Sequence, residues 1–340
     1  MKEAMLYEKG KDGVAACSLC NHRCHIKPGK RGVCRVRENR DGTLYSLTYE
    51  RPVSMAVDPI EKKPLFNFHP GTRVFSLATA GCNLTCSFCQ NWTLSQADPG
   101  DIGSRQVTAE KVAELVESEG CAGIAYTYSE PTIFFEYAYD IARLVHEKGL
   151  YNVFVTNGYM TVDAVQAIAP YLDAANVDLK SIRPAFYKER CGAPKGPDAV
   201  LASIREMREH DVHVEVTNLV VPGLNDSDDD LRELCEAVAA IDAGIAIHFS
   251  RFHPDYKLRD RQATPSGTLE RAQAIAKDAG LRYIYVGNVP GSDGENTYCP
   301  ACGGLLIKRY GFTIISDAVS RTGVCPECGE AIEIMGERNG

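Results

Sequence analysis

The chain reads as an α/β protein built on a TIM-like (β/α) barrel, partial or complete, with one cysteine-rich module before the barrel and another after it. Two observations carry this reading. From Arg73 onward, short β-rich runs alternate with single amphipathic helical stretches, a pattern that requires right-handed crossovers and a parallel sheet. Eleven of the 14 cysteines fall in three close-spaced groups, one ahead of the alternation, one at its start and one beyond its end. The units expected are a cysteine-rich module over 1–72, the barrel over 73–291 and a second small module over 292–340.

Taken in order, residues 1–72 carry Pro28, Gly29, Gly32, Gly42 and Pro52 with weak periodicity, and read as a loop-rich unit braced by a metal. Strands are expected at 73–79, 122–127, 151–156, 173–179, 212–220, 244–249 and 282–287. Helices are expected at 108–119, 131–148, 161–171, 197–210, 227–240 and 267–279. In the first helix Thr108 can cap, Glu110 occupies the first turn, and Val112, Leu115 and Val116 share a face. The fifth has Asp226 or Ser227 as cap and Asp228, Asp229 and Asp230 in its first turn, where the helix dipole favours carboxylates. In such a barrel, functional side chains gather at the carboxyl ends of the strands.

At 340 residues, with 44% hydrophobic and 24% charged residues, the composition excludes a disordered, collagenous or membrane-spanning chain. A net charge of −8 argues against a protein that coats nucleic acid or an anionic membrane. The start, Met1-Lys2-Glu3-Ala4-Met5, leads into no long apolar run, so a cytoplasmic protein is expected. In a reducing compartment, clustered thiols mean metal or iron–sulfur ligation. The scattered Cys121, Cys191 and Cys235 read as small buried residues.

The central group, Cys82-x3-Cys86-x2-Cys89, stands in a loop directly after the first expected strand. Three thiolates can hold three corners of a [4Fe–4S] cluster and leave the fourth iron open to a substrate or cofactor. Glu130, in Tyr128-Ser129-Glu130-Pro131, lies just past the second strand, where a carboxylate can accept hydrogen bonds from an ammonium group. Thr156-Asn157-Gly158 ends the third strand and Asp178-Leu179-Lys180 the fourth; Asp178 and Lys180 point to one face, where an ion pair would also suit them. Thr217 and Asn218 end the fifth strand, and His248 lies on the sixth with Arg251 and His253 close behind.

The last group, Cys299-x2-Cys302-x22-Cys325-x2-Cys328, makes two thiol knuckles that can surround one tetrahedral ion, as in a zinc ribbon or rubredoxin-like knob. Four thiolates close the shell, which favours structural zinc over redox iron. The first group, Cys17, Cys20, Cys24 and Cys34, supplies four more thiols, with His22 and His25 among them and seven basic residues between 17 and 40. Zinc and an auxiliary [4Fe–4S] cluster both suit it; zinc is the expectation taken. Nucleic-acid binding by this basic patch is not expected of a chain that is acidic overall.

The triplet, with Phe88 before its last cysteine, resembles the signature of the radical S-adenosylmethionine (SAM) superfamily over about residues 70–290. The resemblance implies a radical SAM barrel, a [4Fe–4S] cluster on Cys82, Cys86 and Cys89, and SAM chelating the open iron by its amino and carboxylate groups. Reductive cleavage would then give a 5′-deoxyadenosyl radical that abstracts hydrogen from an unassigned substrate. Tyr128-Ser129-Glu130-Pro131 resembles the family's Gly-Gly-Glu-Pro, with Tyr128 and Ser129 where the family has glycines. Thr-Asn-Gly and Asp-Leu-Lys are similar to segments of glycyl-radical-enzyme activating enzymes, which makes Asn157, Asp178 and Lys180 candidates for SAM binding; Val155 replaces the aspartate usual there. By the same resemblance Thr217 and Asn218 would meet the SAM carboxylate or ribose and His248 the nucleoside or substrate.

Cys-Ser-Leu-Cys-Asn-His-Arg-Cys at 17–24 and Gly-Asn-Val-Pro-Gly at 287–291 extend the likeness to the radical SAM subgroup of the AmmeMemoRadiSam system, similar to pyruvate formate-lyase activating enzyme. That subgroup implies association with Memo-like and AMMECR-like proteins, and the chemistry implies an electron donor such as flavodoxin or ferredoxin. Two other readings are a glycyl-radical-enzyme activase and a non-enzymatic iron–sulfur or zinc scaffold that binds protein or RNA.

Overall fold

Seven parallel strands and one antiparallel strand hydrogen-bond into a single sheet in a computed structural model that describes residues 1–319 and 323–336. The strands are β1 (Pro52–Pro59), β2 (Arg73–Thr79), β3 (Gly123–Tyr126), β4 (Tyr151–Thr156), β5 (Ala174–Asp178), β6 (His213–Val220), β7 (Ala246–Arg251) and β8 (Ile284–Gly287). They lie side by side in chain order, β1 antiparallel to β2 and all later neighbours parallel. β1 and β8 are the two edges, so the barrel is partial.

Single helices return the chain between the parallel strands: α1 (Ala109–Ser118), α2 (Phe135–Glu147), α3 (Val162–Ile168), α4 (Gly196–Glu209), α5 (Asp228–Ala239) and α6 (Ser266–Asp278). Each turns an apolar stripe onto the sheet; α1 buries Ala109, Val112, Ala113 and Val116. The Thr108 hydroxyl caps α1 by accepting from the Lys111 amide. Ser227 caps α5, while Asp226 accepts from the Gly223 amide in the preceding turn. The acid run of α5 is used locally: Asp230 pairs with Arg183 and Asp228 with Arg271. Residues of the parallel strands are buried on both faces, which is why they read as unbroken apolar runs.

The sheet starts earlier than the sequence pattern suggests. Pro52–Pro59 pairs with the whole of β2, so the expected break at residue 72 is not a break in the sheet. Proline at both ends and a half-exposed pattern hide this edge strand in the sequence. Residues 60–69, also placed in the first module by sequence, run beneath the barrel. There Phe66 and Asn67 donate their amides to Glu215 of β6 at 3.0 and 2.7 Å.

The two cysteine-rich modules sit at opposite ends of this frame. The last module packs Cys299, Leu306, Ile307 and Cys325 on Phe66, Ala246 and Tyr283, at the amino ends of β7 and β8. Its fully buried Arg309 donates to the Phe66 carbonyl at 2.9 Å and to Thr297 at 2.7 Å. The first module lies at the other end, where Asn21 donates to the carbonyls of Tyr159 and Met160 beyond β4. A buried ion pair joins its Arg37 to Glu136 of α2.

Glu215 is wholly buried, and besides the two amides it meets His213 at 3.1 Å and His248 at 2.6 Å. Burial works to raise its pKa, yet the two imidazoles hold it down to about 2. A depressed carboxylate contributes stability that is complete above its unfolded value of about 4.3 and fades as pH falls below it. The wild-type urea midpoint should therefore drop between about pH 4.3 and pH 2. Glu215→Gln turns an N–H donor toward these donors and should cost about 3 kcal/mol at neutral pH. Its midpoint should also change less across the acid window, as urea melts at several pH values will read.

Candidate active site at the carboxyl ends of the strands

The loop that leaves β2 carries Cys82, Cys86 and Cys89 to the carboxyl end of the sheet. Its backbone is pinned from two sides. Thr85 and Ser87 donate amides to the carbonyls of Cys191 and Arg190, at 2.9 and 2.8 Å, in the π-helical turn Tyr187–Cys191. Gly192 ends that turn at φ 70°, and a Cβ there would stand 2.5 Å from Thr85 Oγ1. On the other side, Gly81 has φ 101°, and a Cβ would meet Val36 Cγ1 of the first module at 2.7 Å. Both contacts demand glycine.

Each sulfur of the triplet has a donor of its own. Cys82 Sγ accepts from the Leu84 amide at 3.3 Å and lies 3.7 Å from Asn157 Nδ2. Cys89 Sγ is 3.2 Å from Ser95 Oγ. Cys86 is pulled below the usual thiol range chiefly by the Cys191 thiol beside it, while burial opposes this. Donors of this kind stabilise thiolates. Cys191 is the residue that sequence reasoning missed: it is buried as expected, but it is also the thiol against the triplet. Only its place in the fold reveals this.

The later strand ends bring the other candidates to the same loop. Asn157 donates its side chain to Asn83 Oδ1 at 2.8 Å, its Oδ1 accepts from the Tyr159 amide at 2.9 Å, and its own amide donates to Glu130 at 2.8 Å. Lys180 Nζ pairs with Asp178 at 2.8 Å and lies 5.9 Å from the centre of the Phe88 ring. Burial works against the Lys180 charge, but Asp178, Cys86 and Cys191 together hold its pKa above the ordinary lysine value. Asp178 keeps 39% of its side chain exposed and Lys180 only 12%, so the carboxylate forms the rim and the ammonium lies behind it.

Glu130 is less open than the sequence implies. Its Oε1 accepts from the Thr132 amide and hydroxyl and from the Thr156 hydroxyl, and Oε2 takes the Asn157 amide. Burial raises its pKa against these hydrogen bonds. Tyr128, where the resemblance has a glycine, adopts φ 62°, the left-handed region a glycine would favour. Its hydroxyl donates to Asp58 of β1, which anchors the ring.

Thr217 and Asn218 stand within β6 and not at its end: Thr217 donates to Oδ1 of Asn176 at 2.9 Å, a residue held in turn by the Pro64 carbonyl, and Asn218, on the opposite face, donates to the Leu179 carbonyl at 2.8 Å. His248 is not at a strand end either. It is buried between Phe66 and Tyr285 with Nε2 committed to Glu215. β7 runs Ala246–Arg251 and not 244–249, so His248 is its third residue, three short of the carboxyl end, and faces Glu215 on the neighbouring strand. Within the cysteine loop, Asn83 Nδ2 and Ser87 Oγ are buried with no hydrogen-bond partner. Such atoms suit a site that receives a polar ligand.

Thiol spacing separates the cysteine groups. Four sulfurs at 2.3 Å from one tetrahedral ion stand about 3.8 Å apart. In the last module Cys299–Cys328 and Cys302–Cys325 are 3.6 and 3.7 Å apart. Among the described residues, only Cys299, Cys302, Cys325 and Cys328 bring their ligand atoms within 4.8 Å of one another, and they could hold such an ion. The triplet is wider, as a cluster of several irons requires.

The site is thus three thiols on the loop where the first parallel strand of a partial (β/α) barrel ends, a donor set that suits an iron–sulfur cluster. The family model described as the Radical SAM superfamily matches residues 76–238, so the chain carries a radical SAM domain over most of its barrel. It is 47% identical to the uncharacterized protein MJ0808 of Methanocaldococcus jannaschii, across 98% of this chain and all of that one. It is 24% identical to the pyruvate formate-lyase-activating enzyme of Clostridium pasteurianum, over 58% of this chain and 87% of that protein. In fold it is similar to a radical SAM methyltransferase from Sphaerobacter thermophilus, with a TM-score of 0.52 and 17% identity over 70% of this chain and 71% of that one. No helix among the described residues is long and apolar enough to cross a membrane.

Gly192→Ala should drive a methyl group onto Thr85 and loosen the loop. Iron bound after anaerobic reconstitution should fall at least about twofold with an unchanged far-ultraviolet circular dichroism spectrum. Full iron loading would show that the turn does not position the loop.

Proposed function

We propose that the chain is a radical SAM enzyme that cleaves SAM at a cluster held by Cys82, Cys86 and Cys89 and abstracts hydrogen from a substrate still to be assigned. The carrying observation is the triplet itself: three thiols at a strand end, set wider than one ion allows, with a lysine, an amide and a hydroxyl turned to them. Cys82, Cys86 and Cys89 would hold a [4Fe–4S] cluster there, which, reduced by an external one-electron donor, would supply the electron for cleaving SAM.

The chain's own residues position and screen. Lys180 offsets the charge of the thiolates from behind. Asn157 ties Cys82 and Asn83 to β4, and Glu130 fixes Asn157 by its amide. Glu130 thus serves first as a positioning residue, with Oε2 the oxygen that has capacity left for an ammonium group. Asp178, exposed at the rim, is the carboxylate best placed to meet a cationic ligand.

Activating enzymes among the relatives support reading the substrate as a peptide or small molecule that a radical can reach, a glycyl-radical partner included. Reduction by flavodoxin or ferredoxin, a cytoplasmic setting, and association with Memo-like and AMMECR-like proteins belong to the same proposal. Zinc in the last module fits its thiol spacing.

Reconstituted protein given dithionite and SAM should form 5′-deoxyadenosine. Cys86→Ala should lower this by more than about 100-fold, whereas Cys191→Ala should retain iron and cleavage. Loss of cluster and activity in Cys191→Ala would make Cys191 a fourth ligand and remove the open iron. Asp178→Ala should keep its iron and bind SAM about tenfold more weakly, equal to about 1.4 kcal/mol. Unchanged SAM affinity would remove Asp178 from the site.

A further inference from the structure

The first cysteine group is the remaining site without an assigned occupant. Cys17, Cys20, Cys24 and Cys34 line one cavity in the N-terminal module, closed on other sides by apolar side chains such as Leu19, Ile26 and Ile133. Zinc is the sequence expectation for it. Yet no three of these four sulfurs come within 4.8 Å of one another, in contrast to the last module. There the thiols close to 3.6 and 3.7 Å. Thiols that face a common cavity but stand too far apart for one ion must hold something with its own dimensions. Four irons in a cubane carry their thiolates at the corners of a larger tetrahedron, and four cysteines are its full complement. Two irons would need pairs of thiols at ion-like spacing.

The surroundings suit an anionic group. Arg37 is 1% exposed, and its Nη1 lies 3.5 Å from Cys17 Sγ while also donating to the Met5 carbonyl at 2.9 Å. Glu136 fixes the far side of the guanidinium. A buried cation donating to a ligand sulfur is the kind of support that metal thiolates use. One residue of the cavity lining also reaches the triplet loop. His22, between Cys20 and Cys24, reaches the Asn83 carbonyl with Nε2 at 2.7 Å, one residue from Cys82. Val36, two residues from Cys34, packs on Gly81, the residue before Cys82.

We infer that Cys17, Cys20, Cys24 and Cys34 bind a second [4Fe–4S] cluster, ligated at all four irons by cysteine and set beside the triplet. With its shell closed it has no place for SAM and stores an electron instead. This goes beyond the proposed SAM chemistry and can be tested apart from it.

The test uses the full chain, reconstituted without oxygen and analysed for iron, sulfide and zinc. About eight irons and eight sulfides per chain are expected. The variant C82A/C86A/C89A should keep about four irons and, once reduced, give a paramagnetic resonance signal that SAM leaves unchanged. The variant C20S/C24S should lose about four irons and keep a signal that SAM alters. In the doubly reduced wild type, the two signals should broaden each other. The inference is overturned if C82A/C86A/C89A binds zinc in place of iron at this site, or only about two irons. It is overturned equally if the doubly reduced protein shows no mutual broadening. Should C20S/C24S fail to fold, C82A/C86A/C89A decides, since it leaves the first module untouched. If SAM affects neither signal but the iron count holds, the proposed SAM chemistry fails and this inference stands.

Discussion

Three thiols must be held apart on a short loop, at the open end of a sheet, against the tendency of an irregular segment to collapse or fray. The structure meets this constraint by fastening the loop to three independent partners. The π-helical turn takes its amides, β4 takes Cys82 and Asn83 through Asn157, and the N-terminal module packs on Gly81 and reaches Asn83 through His22. None of these partners is a ligand of the proposed cluster, yet each fixes where a ligand stands. Catalytic geometry of this type is set by groups one layer behind the reacting atoms.

That dependence gives Glu130 and Asp58 their places. Glu130 spends most of its hydrogen-bonding capacity on Thr132, Thr156 and Asn157, joining the end of β3 to the end of β4. Asp58 gathers Lys62, Lys63, Ser76 and Tyr128, and so ties β1 to the same stretch. Tyr128 can take a left-handed backbone because its hydroxyl is held by Asp58; the side chain supplies locally what a glycine would have supplied by having none. The departure from the glycine pattern is thus compensated by the antiparallel strand.

Much of this frame was legible in the chain because parallel strands and their covering helices write strong periodicities. The seven parallel strands, the caps at Thr108 and Ser227 and the grouping of Asn157, Asp178 and Lys180 at strand ends all follow from local pattern. What was hidden depends on long-range placement. Pro52–Pro59 lacks a buried run because it is an edge, and residues 60–69 are ordered by Glu215 about 150 positions later. His248 shows the limit most clearly. An expected strand end at 249 suggested a ligand contact, but the strand continues to Arg251 and leaves His248 inside the sheet, facing Glu215. Cys191 errs the other way, since burial was foreseen and the neighbour was not.

The two flanking modules look alike as cysteine spacings and differ as geometries. In the last module, thiols from two knuckles close to ion-like distances at the amino ends of β7 and β8, far along the chain from any strand-end candidate. In the first, the thiols stay open around a cavity, and His22 of its lining reaches the triplet loop at Asn83. A small ion braces a knob that has little core of its own, and its site need only be near the core it caps. A group that exchanges electrons must instead lie close to the centre it serves. The placement of the wider thiol set at the catalytic end, and the narrower set at the opposite end, is the arrangement that this difference in task requires.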